Sequence, residues 1–182
     1  MIQASAVTIW VNGVPQSRMV EARTHLIDFL RDDLGVKSAR AGCEHGVCGA
    51  CTVRLDGDIV RACLVLAVQA DGHEVETIDG ASDRQDLTAL QQAFHARNAL
   101  QCGFCTPGML LTAAALLNEQ PDASREQVRL YMSGNYCRCT GYQAIIDAVS
   151  DVLELRRQAE TRSIHSALGA RQSEELPEPA GS

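Results

Sequence analysis

The cysteines are the residues of this chain that are best suited to chemistry, and they fall into two groups of four. The 182-residue sequence contains eight cysteines. The first group is Cys43, Cys48, Cys51 and Cys63, and the second is Cys102, Cys105, Cys137 and Cys139. The first group follows the pattern Cys-x4-Cys-x2-Cys with a fourth cysteine further on, which is the plant-type spacing for a 2Fe-2S cluster. We therefore predict that the first group binds such a cluster and that the chain carries electrons.

Three glycines lie beside the cysteines of the first group. They are Gly42, Gly46 and Gly49. An oxidised 2Fe-2S cluster with four thiolates carries a formal charge of about -2, so it needs backbone N–H groups directed at its sulfurs. Glycine permits positive φ and a tight wrap of the backbone around an anion. The glycines therefore favour a loop that encloses an anionic cluster.

Two other metal sites compete for the first group. A zinc site is one alternative, although structural zinc more often uses two short Cys-x2-Cys pairs. A Rieske centre is the other, because Cys43 and His45 form a Cys-x-His element. The second such element is absent from the sequence. We therefore expect His45 to be a surface residue near an all-thiolate site.

The second group of cysteines is placed where helices are expected to begin. Cys102 and Cys105 precede Thr106 and Pro107, which are predicted to be the N-cap and the first helical residue. The other two cysteines precede Thr140, which can form a capping box with a residue three positions later. Helix N-termini favour thiolates and anionic clusters by a fraction to about 1 kcal/mol each at exposed sites. We predict a second all-thiolate cluster here.

Alternatives remain for this second group. Zinc fits the spacing of a Cys-x2-Cys pair with a distant Cys-x-Cys pair. A redox disulfide between Cys102 and Cys105 is a weaker rival, because no βαβ pattern of the thioredoxin type surrounds it.

The composition limits which binding partners and which cellular compartment are expected. The net charge is -7 and the pI is about 5.2, and there is no block of Lys or Arg, so nucleic acid is not an expected partner. No basic segment with an apolar stretch opens the chain, and no run is long enough to span a bilayer. We expect a soluble, cytoplasmic protein. Cytosolic thiols are reduced, so eight cysteines indicate metal ligation.

The first half of the chain has the pattern of strands around one short helix. Alternating apolar residues around Asn12-Gly13 predict a hairpin. Thr24 and Gly35 are the expected ends of a helix. A second hairpin is predicted to turn at Asp56-Gly57, with the fourth cysteine on its return strand, and Val75 to Ile78 is expected to be the last strand.

The apolar period changes after the segment Asp79 to Asp86, which we interpret as a linker. Four amphipathic helices are predicted in the next part of the chain, including one that Ser124 and Gln127 begin with a capping box. From Ala167 the composition is typical of a disordered tail. The prediction is an α+β chain with a ferredoxin-like domain at 1–80, a helical cluster-binding domain at 81–160 and a flexible tail at 161–182.

Three segments together resemble a known family. They are residues 42–51, 101–108 and 134–142, and the resemblance extends from residue 5 to residue 158. Both cysteine motifs closely resemble the small iron-sulfur subunit of molybdenum hydroxylases, the xanthine dehydrogenase and carbon monoxide dehydrogenase family. The resemblance implies an N-terminal β-grasp, plant-type ferredoxin domain and a C-terminal four-helix bundle, each with one 2Fe-2S cluster.

The resemblance also implies partner chains. A large subunit would hold the molybdopterin cofactor and a medium subunit would hold FAD, with the second cluster nearer molybdenum and the first nearer the flavin. Gln101 and Cys139 match family positions that contact the pterin cofactor. We expect a dimer of such three-chain units, and the substrate would be determined by another chain. The alternatives are a zinc-stabilised interaction module and a free-standing two-cluster ferredoxin.

Overall fold

The first half of the molecule is built on a five-stranded mixed sheet. The structure is a computed structural model that describes residues 4–81 and 85–174. The strands are β1 (Ala4–Val11), β2 (Val14–Glu21), β3 (Thr52–Leu55), β4 (Asp58–Arg61) and β5 (Glu74–Glu76). Their order across the sheet is β2-β1-β5-β3-β4. Only the β1–β5 pair is parallel among these strands, and the other three pairs are antiparallel.

Both predicted hairpin turns are confirmed. Asn12 and Gly13 connect β1 to β2 with φ values of 52° and 78°, and Asp56 and Gly57 connect β3 to β4 with 50° and 96°. Two consecutive positive φ values match the right-handed twist of the flanking strands, which explains the choice of Asn-Gly and Asp-Gly.

The helix after the first hairpin is confirmed, but its predicted cap is wrong. Helix α1 (Leu26–Asp28) continues as a π-helical turn at Phe29–Asp33, and its N-cap is His25 rather than Thr24. His25 pairs with Leu66 in an isolated β-bridge, and this contact with a distant segment shifts the start of the helix by one residue. Gly35 follows the helix with φ 73°, as predicted for a left-handed terminus.

Two boundaries in this half differ from the predictions. Strand β4 ends at Arg61, so Cys63 lies just beyond the strand rather than on it. Strand β5 ends at Glu76, and the short helix α2 (Ile78–Ala81) occupies the end of the predicted strand and the beginning of the predicted linker. The rest of that linker includes residues 82–84, which lie outside the described residues.

Two contacts between polar side chains join residues of the sheet and its turns. Arg54 on β3 is only 4% exposed, and its Nη1 donates to Glu76 Oε2 at 2.6 Å. Asp56 in the second turn accepts from the backbone N–H of Glu74 at 2.9 Å and faces His73 Nδ1 at 2.5 Å. The N–H donor first, and then His73, lower the pKa of the Asp56 carboxyl.

The second half of the described chain is helical. Its helices are α3 (Gln85–Ala96), α4 (Thr106–Glu119), α5 (Arg125–Met132) and α6 (Gln143–Glu174). The predicted capping box is confirmed: Ser124 and Gln127 exchange hydrogen bonds at the start of α5. Helix α6 extends through residues 161–174, which were predicted as part of the tail, and residues 175–182 lie outside the described part. Within the described ranges, no helix is long and apolar enough to span a membrane.

Each half has its own hydrophobic core. The sheet packs Ile9, Val53 and Val75 against Leu26 and Phe29 of the helical segment. The helices pack around a second cluster, which includes Leu90 of α3, Leu111 of α4 and Val149 of α6. A mixed sheet followed by packed helices is an α+β arrangement, as predicted.

Candidate metal centres

The first four cysteines surround a loop without regular structure, and glycine conformation explains its shape. Gly46 and Gly49 have φ values of 84° and 73°. A Cβ at Gly42 would lie 2.9 Å from Cys48 Sγ, and a Cβ at Gly46 would overlap the side chain of Leu64. The loop can therefore close over the sulfurs only with glycine at these positions.

Backbone N–H groups point at two of these sulfurs. Gly46 N donates to Cys63 Sγ at 3.2 Å, and Cys48 N donates to Cys43 Sγ at 3.3 Å. Burial opposes ionisation of Cys43, but hydrogen bonds from the backbone of Cys48, His45 and Val47 and from the Cys48 side chain outweigh it, and its pKa falls to about 6. The loop thus stabilises negative charge on sulfur before any cation is considered.

The inner side of the same site behaves differently. Cys51 and Cys63 are each only 2% exposed. Burial, with the neighbouring Cys63 thiol, raises the pKa of Cys51 to about 12. Buried thiols of this kind become thiolates when a metal cation compensates their charge. The arrangement is therefore suited to a positively charged metal centre.

The second group of cysteines is assembled from two loops. Cys105 is the N-cap residue of α4, and Cys102 precedes it by one turn of loop. Cys139 Sγ lies 3.6 Å from Cys102 Sγ. Burial, with the hydrogen-bonded Cys137 thiol, raises the pKa of Cys105 to about 12. Cys102 thus lies beside Cys139, and Cys105 lies beside Cys137.

Two predicted caps in this region have other roles. Thr106 is the first helical residue of α4, since Cys105 takes the cap position. Thr140 does not cap α6, which begins at Gln143. Instead its backbone N–H and hydroxyl donate to Cys137 Sγ at 3.4 and 3.1 Å. Burial would raise the pKa of Cys137, but these two donors contribute to a net lowering.

The eight thiols form four pairs. Contacts between side chains join Cys43 to Cys48, Cys51 to Cys63, Cys102 to Cys139, and Cys105 to Cys137. In residues 4–81 and 85–174, no three His, Cys, Asp or Glu side chains are grouped so that they could hold a metal ion. Two thiol pairs in each group match a binuclear cluster, in which each of two irons takes two thiolates. The donor set therefore fits a 2Fe-2S cluster in both places.

The remaining predicted residues lie near the two groups. Gln101 is exposed, and its Nε2 donates to the Cys139 carbonyl at 3.1 Å. Cys102 is also exposed, so one edge of the second group is open at the surface. His45 is exposed and its Nδ1 contacts the Cys43 carbonyl oxygen, as expected for a surface residue.

Several residues at these sites had no predicted role. The hydroxyl of Tyr142 accepts a hydrogen bond from Cys137 N at 2.9 Å, and Tyr142 has a φ of 68°. Asn135 is buried between the two groups of cysteines. No local pattern identifies Asn135, because its partners are distant in sequence. The available signal was its place in the segment 134–142, which resembles the known family.

Two family models match the chain. The model described as a 2Fe-2S iron-sulfur cluster binding domain matches residues 9–79, and the model described as a [2Fe-2S] binding domain matches residues 77–150. The first match contains all four cysteines of the first group, and the second contains all four of the second group. Both descriptions agree with the iron-sulfur prediction rather than with zinc.

Known proteins resemble this chain over most of their own length. Caffeine dehydrogenase subunit gamma of Pseudomonas sp. (strain CBB1) is 48% identical over 154 residues, covering 83% of this chain and 92% of the relative. Nicotine 6-hydroxylase small subunit of Paenarthrobacter nicotinovorans is 49% identical, covering 80% and 87%. A chain in the crystal structure of quinoline 2-oxidoreductase from Pseudomonas putida 86 is 51% identical with a TM-score of 0.78, covering 86% and 98%.

Proposed function

This chain belongs to the small 2Fe-2S iron-sulfur subunits of molybdenum hydroxylases, and we propose from this how its residues serve electron transfer. The chain is the non-catalytic subunit of a molybdenum-dependent oxidoreductase. When bound, each 2Fe-2S cluster takes up and releases one electron at a time. The observation that supports this function most strongly is the arrangement of eight thiols as two sets of two pairs.

The proposed ligands follow from that pairing. In the first cluster site, one iron would be held by Cys43 and Cys48 and the other by the buried pair. In the second cluster site, one iron would be held by Cys102 and Cys139 and the other by the remaining pair. The chain's own contribution is to direct N–H and O–H donors at the thiolate sulfurs, which favours an added electron.

The proposed partners are a large subunit with molybdopterin and a medium subunit with FAD. Electrons would enter at the second site and leave from the first. Gln101 and Cys139 are proposed to contact the pterin cofactor, which is supported by their hydrogen bond at the exposed edge of the second site. Relatives named subunit gamma and small subunit support a separate chain in a larger complex.

The finer structural predictions are part of the same proposal. We assign the β-grasp ferredoxin domain to residues 1–80 and the four-helix bundle to residues 81–160. The separate cores of the sheet and the helices support this division. The assembled enzyme is proposed to be a cytoplasmic dimer of three-chain units.

Purification from the native source under mild conditions tests the role as a subunit. We expect a tagged chain to elute from gel filtration together with a molybdenum-containing chain and a flavin-containing chain in equal amounts. A monomer that carries both clusters but never brings down either partner would contradict the proposal. That result would favour the free-standing two-cluster ferredoxin.

A further inference from the structure

The two cluster sites are joined by a direct backbone hydrogen bond. The N–H of Tyr136 donates to the carbonyl oxygen of Cys48 at 2.8 Å. Cys48 is a proposed ligand residue of the first site, and Tyr136 immediately precedes Cys137 of the second. One backbone hydrogen bond therefore connects Cys48 of the first site to the residue next to Cys137 of the second site.

Glycines allow this close approach. A Cβ at Gly49 would lie 2.8 Å from the carbonyl oxygen of Gly134, and a Cβ at Gly108 would overlap the carbonyl oxygen of Gly49. Three chain segments, namely the first cysteine loop, the start of α4 and the segment before Cys137, therefore meet backbone to backbone. The separation between the two cysteine loops depends on this contact.

The side chain of Asn135 holds the three segments together. It is 1% exposed. Its Nδ2 donates to the Gly49 carbonyl at 3.1 Å, and its Oδ1 accepts from Thr112 Oγ1 at 3.1 Å and from Arg61 Nη2 at 3.2 Å. One amide thus bonds to the first cysteine loop, to α4 and to the end of β4. Removing it would take away the acceptor of the buried Thr112 hydroxyl and the link between the three segments.

Arg61 completes the same contact from the sheet. Its Nη2 also donates to the Gly134 carbonyl at 2.7 Å, and its Nη1 contacts Thr52 Oγ1. The Thr52 hydroxyl in turn donates to the Gly49 carbonyl at 2.7 Å. The planar guanidinium therefore fixes the backbone on both sides of the junction, a geometry that lysine cannot reproduce.

We infer that Asn135 is a positioning residue that sets the separation of the two cysteine loops and thereby the rate of electron transfer between them. This rests on the proposed function. When the clusters are bound, the step would move one electron from the cluster held by the second group of cysteines, which is oxidised, to the cluster held by the first group, which is reduced, and no covalent bond forms or breaks. Electron transfer slows steeply with distance, so a small displacement at this junction has a large effect on the rate.

The test compares three variants of the assembled complex. Asn135→Ala removes the amide, and Arg61→Lys keeps the positive charge but loses the two-pronged geometry. Asn118→Ala removes an exposed asparagine from α4 as a matched control. Iron content and redox titration establish that both clusters are present at unchanged potentials. Partial reduction by pulse radiolysis then gives the rate of electron redistribution, and EPR of the fully reduced complex gives the magnetic interaction between clusters.

We expect slower redistribution and a weaker magnetic interaction in Asn135→Ala, a smaller loss of the same kind in Arg61→Lys, and wild-type behaviour in Asn118→Ala. A merely structural role would change stability but not these values in fully loaded protein. Wild-type rates in loaded Asn135→Ala would overturn the inference. If that variant fails to load, wild-type rates in Arg61→Lys would do so. A wild-type complex without two 2Fe-2S signals would instead refute the proposed function.

Discussion

Gly108 offers a quantitative test of the contact between the two halves. In Gly108→Ala, the new methyl would overlap the Gly49 carbonyl oxygen, inside the 3.0 Å that Cβ contacts keep, and would lie 3.2 Å from Asn135 Nδ2. Overpacking against such neighbours costs about 1–3 kcal/mol. Because the clashing atom is backbone and cannot rotate away, the upper part of that range applies.

An opposing effect must be subtracted. Alanine is a better helix former than glycine by at most about 1 kcal/mol, and Gly108 lies in the first turn of α4. The net expectation is a loss of about 1–2 kcal/mol. For a chain of this size, that corresponds to a decrease in Tm of about 2–8 °C.

The assay is thermal unfolding of the cluster-loaded protein, followed by visible and far-ultraviolet circular dichroism at one fixed scan rate. Asn118→Ala is the control, since it adds alanine to the exposed end of the same helix, and we expect its Tm to stay close to that of the wild type. A Gly108→Ala protein as stable as the wild type would refute the close approach of α4 to the first cysteine loop.

Four further variants test the cluster sites and the sheet. Cys48→Ser should lose the first cluster and keep the second, and Cys137→Ser should do the reverse, so iron analysis should give about half the wild-type content in each; unchanged iron would contradict the ligand assignment. Arg54→Met should lower the free energy of unfolding by about 1–3 kcal/mol, because it removes the buried, charged donor of a hydrogen bond to the partly exposed Glu76 carboxylate; a chemical-denaturation midpoint equal to that of the wild type would contradict this. Asp56→Asn should be less stable than the wild type at pH 7, and the difference should shrink as the pH falls from about 4 through the lowered folded-state pKa, because the lowered pKa stabilises only the ionised carboxylate; a difference that is the same at pH 7 and at pH 2 would exclude this cause.

Local chemistry made the turns and the ligand loops predictable. Asn12-Gly13 and Asp56-Gly57 determine their own conformation through positive φ, and Ser124 bonds within its own helix turn. Three cysteines of the first group likewise lie within one short loop, so their spacing alone predicts the 2Fe-2S site. Only Cys63 lies further along the chain. These features need no knowledge of distant contacts.

Distant contacts explain both the predictions that were wrong and the features that were not predicted. Thr24 lost its expected cap role because His25 pairs with a residue far along the chain. The Thr140 hydroxyl donates a hydrogen bond to Cys137 Sγ instead of capping a helix. The partner of the Asn135 amide nitrogen is 86 residues away, so no local pattern could reveal it. The parallel pairing of β1 with β5 is non-local for the same reason.

Metal and sulfide analysis combined with EPR tests the central claim most directly. Purified protein should contain about four irons and four labile sulfides per chain, and dithionite reduction should give two distinct rhombic EPR signals. Stoichiometric zinc in a colourless protein that dithionite does not change would contradict the assignment of two 2Fe-2S clusters to these eight cysteines.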